Sequence, residues 1–462
     1  MTLIASISGI RGTIGGPMGD NLTPPDIVNF TSAFGLWLTT RSDSRKVVVG
    51  RDARPSGPML ESLVCGTLVS LGFEVINLGL STTPTVEVAI PEYKAAGGIV
   101  LTASHNPQAW NALKLLNRFG EFVTQKGGSE IMEILQLGHF RYEPVGELGK
   151  IVNVTDFGRR HIEMILDLPT VDAYAVGRSG LRVLVDGVNS SGGIFVPQLL
   201  RAMGITDIVE LNCTPNGQFA HNPEPLKEHL VETCDAVRKN RCDIGIVVDP
   251  DVDRLVLIDE NGNLFGEEYT LVAVADYILE HKRGAVVSNL SSSRALRDLA
   301  QERGCNYYAA AVGEVNVTER MKRSDAVIGG EGNGGVIYPE LHYGRDALLG
   351  IALFLSHLVK SKLSVSKLRQ KYPNYFMSKQ KVDLNPQTDV DGLLKGVEAE
   401  FDGKATVTTI DGVKLDFPDS WVHLRKSNTE PIVRIYSEAK TQQAADELAN
   451  EFKDRLSRMS KK

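Results

Sequence analysis

The chain is 462 residues long, 42% hydrophobic and 23% charged, with a formal net charge of −7. That length exceeds one compact core and calls for two to four domains at roughly 150 residues each, while the acidic balance argues against nonspecific nucleic-acid binding. No apolar run approaches the roughly 20 residues that span a bilayer, and the opening MTLIASISGIRG lacks the regions of a signal peptide, so a cytoplasmic protein with no membrane partner is expected. Cys65, Cys213, Cys234, Cys242 and Cys305 are spaced neither as a disulfide framework nor as a zinc site and read as reduced, mostly core thiols.

In chain order, KVVVGRDARPSG runs on to Gly72 and FEVINL, LRVLVDGVNSSGG to Gly204 and ITDIVEL, and GAVVSNLSSSRAL to Gly304 and CNYYAAA. Each stretch reads strand, polar loop, helix, glycine stop, strand, the grammar of a βαβ unit with buried parallel strands. Past residue 370 the pattern becomes MSKQKVDL, ATVTTIDGVKLDF and WVHLRKSNTEPIVRIYSEA, followed by a helical terminus. This predicts an α/β protein: three similar α/β domains, 1–150, 151–256 and 257–370, and a C-terminal α+β domain, 371–462.

Six stretches carry chemistry. Ser8 to Gly12 and Gly50-Arg51-Asp52 put arginines in N-terminal loops, where each is as readily a salt-bridge partner as a ligand. In LTASHNPQAW, Ser104 and His105 follow an apolar run and precede an Asn-Pro turn signal; taken alone, this serine reads more readily as a cap or turn residue than as a nucleophile. No GxSxG elbow surrounds it, which removes an acyl-transferring hydrolase.

Asp249, Asp251 and Asp253 alternate between two apolar runs, so a curl at Pro250 would bring three hard oxygen donors onto one ion, a set suited to Mg²⁺. The same residues with Glu260 fit positions 1, 3, 5 and 12 of a calcium EF-hand. That motif needs glycine at position 6, where Arg254 stands, and helical flanks, which these β-branched runs are not. The glycine-rich loop 329–335 allows close ligand approach, with Glu331 and Asn333 free to bond hydroxyls. In Arg425-Lys426-Ser427-Asn428-Thr429-Glu430-Pro431, cations, hydroxyls and turn amides would form a phosphate clamp or a plain surface charge run.

Together and in this order, TASHNP, DPDVDR, GEGNGG and RKSNTEP resemble the α-D-phosphohexomutases, the superfamily of phosphoglucomutase, phosphomannomutase and phosphoglucosamine mutase, over the whole chain. The resemblance implies the four domains above arranged around a central cleft. It makes Ser104 the phosphorylated serine beside the active-site His105, and Asp249, Asp251 and Asp253 the Mg²⁺ ligands, completed by a phosphoserine oxygen. Lys114 and Arg11 come to lie near the transferring proton and phosphate. Arg254 follows the metal loop as a substrate-binding residue, Glu331 and Asn333 read the sugar hydroxyls, and Arg425, Ser427, Asn428, Thr429 and Arg434 clamp the distal phosphate.

There are departures from the pattern. Ser6-Ile7-Ser8 replaces Phe-Gly-Thr, Ala112 and Asn428 replace glycines, and Gly335 stands where many relatives carry histidine. The implied reaction interconverts hexose 6- and 1-phosphates through phosphoserine and a sugar 1,6-bisphosphate that serves as intermediate and activator. GEGNGG with GEVNV at 313–317 resembles the branch holding phosphoglucosamine mutases, so glucosamine phosphates are the expected pair, with a broad phosphomannomutase/phosphoglucomutase as the alternative. A phosphosugar phosphatase or binding protein on the same scaffold is a remoter one. The expected partners are small phosphosugars only, on a monomer or homodimer.

Overall fold

The computed structural model describes residues 2–6, 9–385, 387–426 and 432–460. They fall into two compact units, Met1–Lys282 with Asn333–Arg369, and Arg283–Gly332 with Gln370–Lys462.

The first unit opens with seven strands: β1 (Ile4–Ser6), β2 (Gly9–Thr13), β3 (Lys46–Arg51), β4 (Glu74–Leu80), β5 (Gly97–Leu101), β6 (Trp110–Leu116) and β7 (Lys150–Asn153). They form one mixed sheet in the order β1-β2-β6-β5-β3-β4-β7. Alternate side chains of β3 serve opposite faces: Val47 and Val49 pack with Phe34, Leu60 and Leu68 on one side, while Val48 packs with Val86, Ala89 and Ile90 on the other. A strand covered on both faces has no polar side, which is why KVVVG reads as a continuous apolar run. β8 (Arg182–Asp186), β9 (Asp207–Leu211), β10 (Ile244–Val248) and β11 (Leu255–Asp259) make a second sheet in the order β11-β10-β8-β9.

The second unit holds β12 (Ala285–Asn289), β13 (Tyr307–Ala310) and β14 (Ala326–Glu331), a parallel trio in the order β13-β12-β14; β15 (Gly335–Ile337) returns to the first unit. β16 (Phe376–Asp383), β17 (Thr406–Thr408), β18 (Val413–Asp416), β19 (Trp421–Lys426) and β20 (Ile432–Ala439) form an antiparallel sheet ordered β16-β20-β19-β18-β17. The helix Gln442–Met459 buries Ala445, Ala449, Phe452 and Leu456, a stripe at helical spacing, and the last three join the core under that sheet.

The three repeats are present as read. β3 and β4, β8 and β9, and β12 and β13 are parallel pairs joined through the helices Gly57–Ser70, Gly192–Ala202 and Ala295–Glu302. Gly72, Gly204 and Gly304 end those helices at φ +80°, +87° and +65°, a left-handed turn that glycine makes without a Cβ clash. Past each first strand a carboxylate or amide caps the loop two residues on, Asp52 to Arg54, Asp186 to Val188 and Asn289 to Ser291. The cysteine expectation holds only in part: Cys65 and Cys242 are buried, but Cys213, Cys234 and Cys305 are half-buried. No helix among the described residues is long and apolar enough to cross a membrane.

Candidate active site

Ser104 caps no helix. It stands in the loop between β5 and β6 at φ +48°, a conformation uncommon for a side chain with a Cβ, and Oγ donates to Asp249 Oδ2 at 2.8 Å. The loop is held from behind. Fully buried Arg54 donates to the carbonyls of Ser104, Asn106, Pro107 and Trp110 at 2.6, 2.6, 2.7 and 2.9 Å and to Asp52 at 3.0 Å. Asp52 also accepts from the Thr102 hydroxyl at 2.7 Å, which in turn accepts from the Ser104 amide at 3.0 Å. Sequence reading missed Arg54, because its partners are backbone carbonyls that no motif displays.

The carboxylates sit on the turn of the β10–β11 hairpin and are fully buried. The curl expected at Pro250 is made two residues on, at Val252, whose φ of +63° is costly for a β-branched residue and is enforced by bonds from its amide to Asp249 O and from the Ala347 amide to its carbonyl, both 3.1 Å. Glu260, the would-be twelfth EF-hand ligand, bonds the amide and hydroxyl of Ser366 instead. Oxygens of Asp249, Asp251 and Asp253 lie within 4.8 Å of one another, and Asp251 Oδ1 and Asp253 Oδ1 are buried without a hydrogen bond among the described residues. Burial, then the charges of Asp253 and Asp251, pushes the Asp249 carboxyl well above its usual range. Hard, orphaned oxygens that repel one another are a donor set a divalent oxygen-seeking cation fits.

Cations line the opposite side. Lys114 Nζ reaches Asp251 at 2.6 Å and Asp253 at 3.3 Å, Arg345 donates to Asp253 at 2.8 Å, and Thr83 holds Asp251 at 2.5 Å. Burial opposes the charges of Lys114 and Asp253, but the facing partners outweigh it: Lys114 is raised by Asp251 and Asp253, and Asp253 is lowered by Arg345 and Lys114. His105 Nδ1 lies 3.4 Å from Ser104 Oγ, and burial with Arg254 pushes the imidazole down to about 3, leaving it neutral. The Arg254 amide bonds Asp249 at 3.2 Å. Ser104, His105, Lys114, Arg11, Arg254 and Arg345 line one cavity of about 240 Å³.

Arg345 is the second residue that sequence reading missed. A Cβ at Gly335 would stand 2.3 Å from its Cδ, so the glycine noted above as a departure is what leaves room for it. Asn333 accepts from the Gly335 amide at 3.2 Å in the same unit.

Within the second unit, Glu331 Oε1 accepts from Asn289 at 2.9 Å and from the Gly313 amide at 3.0 Å. The neighbouring Val312 amide donates to Asp411 at 2.9 Å, and Asp411 pairs with Arg425 at 2.7 Å, so two adjacent peptide groups tie the glycine-loop glutamate to the first clamp residue. Arg425 stands directly across from Arg434, and Arg434 across from Lys381, a row of three cations over adjacent strands that sequence reading did not assemble. Like charges opposite one another repel, and a bound anion relieves them. Ser427, Asn428 and Thr429 lie outside the described residues.

A buried hydroxyl beside a metal-competent carboxylate triad, facing cations across one cavity, defines a phosphoryl-transfer enzyme. Residues 4–141, 159–262 and 266–375 match phosphoglucomutase/phosphomannomutase alpha/beta/alpha domains I, II and III, and 381–455 match its C-terminal domain. The chain belongs to the phosphoglucomutase/phosphomannomutase family, within the α-D-phosphohexomutase superfamily. It is 35% identical to a phosphoglucomutase/phosphomannomutase of Thermococcus kodakarensis, over 94% of this chain and 96% of that one. A phosphoglucosamine/phosphogalactosamine mutase of Sulfurisphaera tokodaii is 32% identical over 96% and 97%. The crystal structure of a phosphoglucomutase/phosphomannomutase family protein from Burkholderia thailandensis superposes with a TM-score of 0.83 at 25% identity, over 98% of this chain and 96% of that one.

Proposed function

We propose that the protein is a phosphoglucosamine mutase that interconverts glucosamine 6-phosphate and 1-phosphate through phosphoserine 104. The observation that carries the reaction is the Ser104–Asp249 hydrogen bond of 2.8 Å inside the cation-lined cavity. The phosphoryl group leaves seryl oxygen for the free sugar hydroxyl, breaking one P–O bond and forming another, and the hydroxyl proton ends on the seryl oxygen that has lost the group, beside His105. The resulting sugar 1,6-bisphosphate turns end for end and returns its other phosphoryl group to Ser104. Arg11, Lys114, Arg254 and Arg345 hold the transferring group's oxygens, while Glu331 and Asn333 meet the sugar hydroxyls. Arg425 and Arg434, with Ser427, Asn428 and Thr429, hold the phosphate that is not reacting. Asp249, Asp251 and Asp253 would hold Mg²⁺, whose chemistry when bound is to neutralise charge on the phosphoryl oxygens. The division into four domains near 150, 256 and 370, and a cytoplasmic address, belong to the same reading; the four matched stretches support the former.

The sugar is tested by kcat/KM for the 1-phosphates of glucosamine, glucose, mannose and N-acetylglucosamine at one Mg²⁺ and bisphosphate concentration. Glucosamine 1-phosphate is expected to lead. The Thermococcus relative favours the second reading, a phosphoglucomutase/phosphomannomutase, and a tenfold lead for glucose or mannose phosphate, about 1.4 kcal/mol, establishes it instead. The mechanism is tested by Ser104→Ala: a rate above about a tenth of wild type excludes the covalent relay, since a lost nucleophile costs orders of magnitude. Free phosphate released in excess of isomerised sugar would mark a phosphatase.

A further inference from the structure

A second ligand cluster lies in the first unit, apart from the cavity, on segments far separated in sequence. Asp346 Oδ2 stands 3.0 Å from His161 Nε2 and 3.3 Å from His342 Nε2, and the three donor atoms lie within 4.8 Å of one another. Around an ion with ligands at about 2.0–2.1 Å, adjacent donors of a tetrahedron are about 3.3 Å apart, so these atoms need little movement to share one. His161 and Asp346 are fully buried, and the His342 side chain is 8% exposed.

We propose that His161, His342 and Asp346 form a second metal site, for a divalent transition ion of the Zn²⁺ class. Two of the three ligands are hydrogen-bonded from behind, as metal ligands are, and the third faces a carboxylate. His161 Nδ1 bonds the Thr85 hydroxyl at 3.0 Å, His342 Nδ1 faces Glu87 Oε2 at 3.5 Å, and Asp346 Oδ1 accepts the Leu349 amide at 3.1 Å. Both imidazoles thus present Nε2 to the same point. The loop is shaped to the cluster: a Cβ at Gly344 would meet Glu87 Oε2 at 1.9 Å and His342 Cε1 at 2.9 Å. Two imidazoles and a carboxylate select Zn²⁺, Co²⁺ or Fe²⁺ over Mg²⁺, whereas the all-oxygen aspartate triad has the opposite preference.

The site's place in the fold gives it a purpose. The helix Thr83–Glu92 carries Thr85 and Glu87 behind this cluster and Thr83 onto Asp251. Asp346 follows Arg345, which reaches Asp253, and caps the helix Ala347–Ser361. An ion here therefore fixes the two segments that position the aspartate triad.

The test strips the full-length protein with a chelator, restores millimolar Mg²⁺, and titrates Co²⁺ while following the visible d–d bands. One Co²⁺ per chain is expected, retained in Asp251→Asn and weakened about tenfold or more in His342→Gln. The proposal is overturned if Mg²⁺-loaded wild type takes up no Co²⁺, if Asp251→Asn abolishes uptake, or if His342→Gln, folded by circular dichroism, binds as wild type does. Should His342→Gln fail to fold, a Zn²⁺-soaked crystal of the wild type decides: anomalous density in bonding range of His161, His342 and Asp346 is expected, and its absence overturns the site.

Discussion

Arg54 Nη2 donates to the carbonyl of Ser104 at 2.6 Å, and the same guanidinium gathers three more carbonyls of that loop. The seryl hydroxyl is thereby aimed by a residue that never touches the cavity, and the planar fork, fully buried, is what spans so many acceptors. Arg54→Lys offers three donors from a point and cannot reproduce this. We expect kcat to fall about a hundredfold, with KM changed far less, because the lost alignment acts on the reacting atom. Arg54→Met also strands Asp52 without its counter-charge, at about 3–5 kcal/mol of stability, read by urea denaturation. A normal kcat in Arg54→Lys would show that the loop holds itself.

The parts legible in the sequence were those written locally. Apolar runs with glycine stops spelled out three βαβ units, and Asp249, Asp251 and Asp253 alternate within five residues, so one turn suffices to gather them. What escaped is assembled over distance or through the backbone. Arg345 meets Asp253 from 92 positions away, and Lys381 joins Arg434 and Arg425 only through strand register. Arg54 was hidden differently: an arginine two residues from an aspartate reads as a surface pair, and nothing local reveals the four carbonyls it collects.

Gly335 supplies a prediction through the space it leaves. A methyl group there meets Arg345 at Cδ and Cγ, mid-chain atoms that cannot step aside as a side-chain tip can. Gly335→Ala should therefore move Arg345 off Asp253, lowering kcat/KM about tenfold and altering the Mg²⁺ concentration for half-maximal rate. Arg345→Gln should do the same, and the double variant should be no worse than either alone, since both remove one contact. Additive losses would separate the two residues.

The row Lys381, Arg434, Arg425 should respond to anions before any sugar is involved. Inorganic phosphate is expected to raise the wild-type melting temperature and to do so less in Arg434→Ala, because the anion relieves repulsion that the variant lacks. In turnover, Arg425→Ala should raise KM for both isomers about tenfold or more, with kcat falling less. Unchanged KM values for both would remove this row from the substrate's grip.

The tie between Glu331 and Arg425 passes beside His423, whose state gives the last prediction. Its Nε2 donates to the Asp411 carbonyl at 2.6 Å, and Nδ1 lies 2.9 Å from the Ser291 hydroxyl. Burial, with Lys414 and Arg425 nearby, pushes this imidazole down to about 4 against the pull of the Asp411 carbonyl. The unfolded chain, with a histidine near 6.5, takes up the proton first, so stability is complete above about pH 6.5 and falls as the pH drops toward 4. The loss reaches at most about 3 kcal/mol across that window. Amide-exchange protection along β19, corrected for intrinsic rates, should decline between pH 7 and 5 in the wild type and stay flatter in His423→Gln, which keeps a donor for Asp411 but has no proton to gain. Equal declines in the two proteins would assign the acid sensitivity of this sheet to another group.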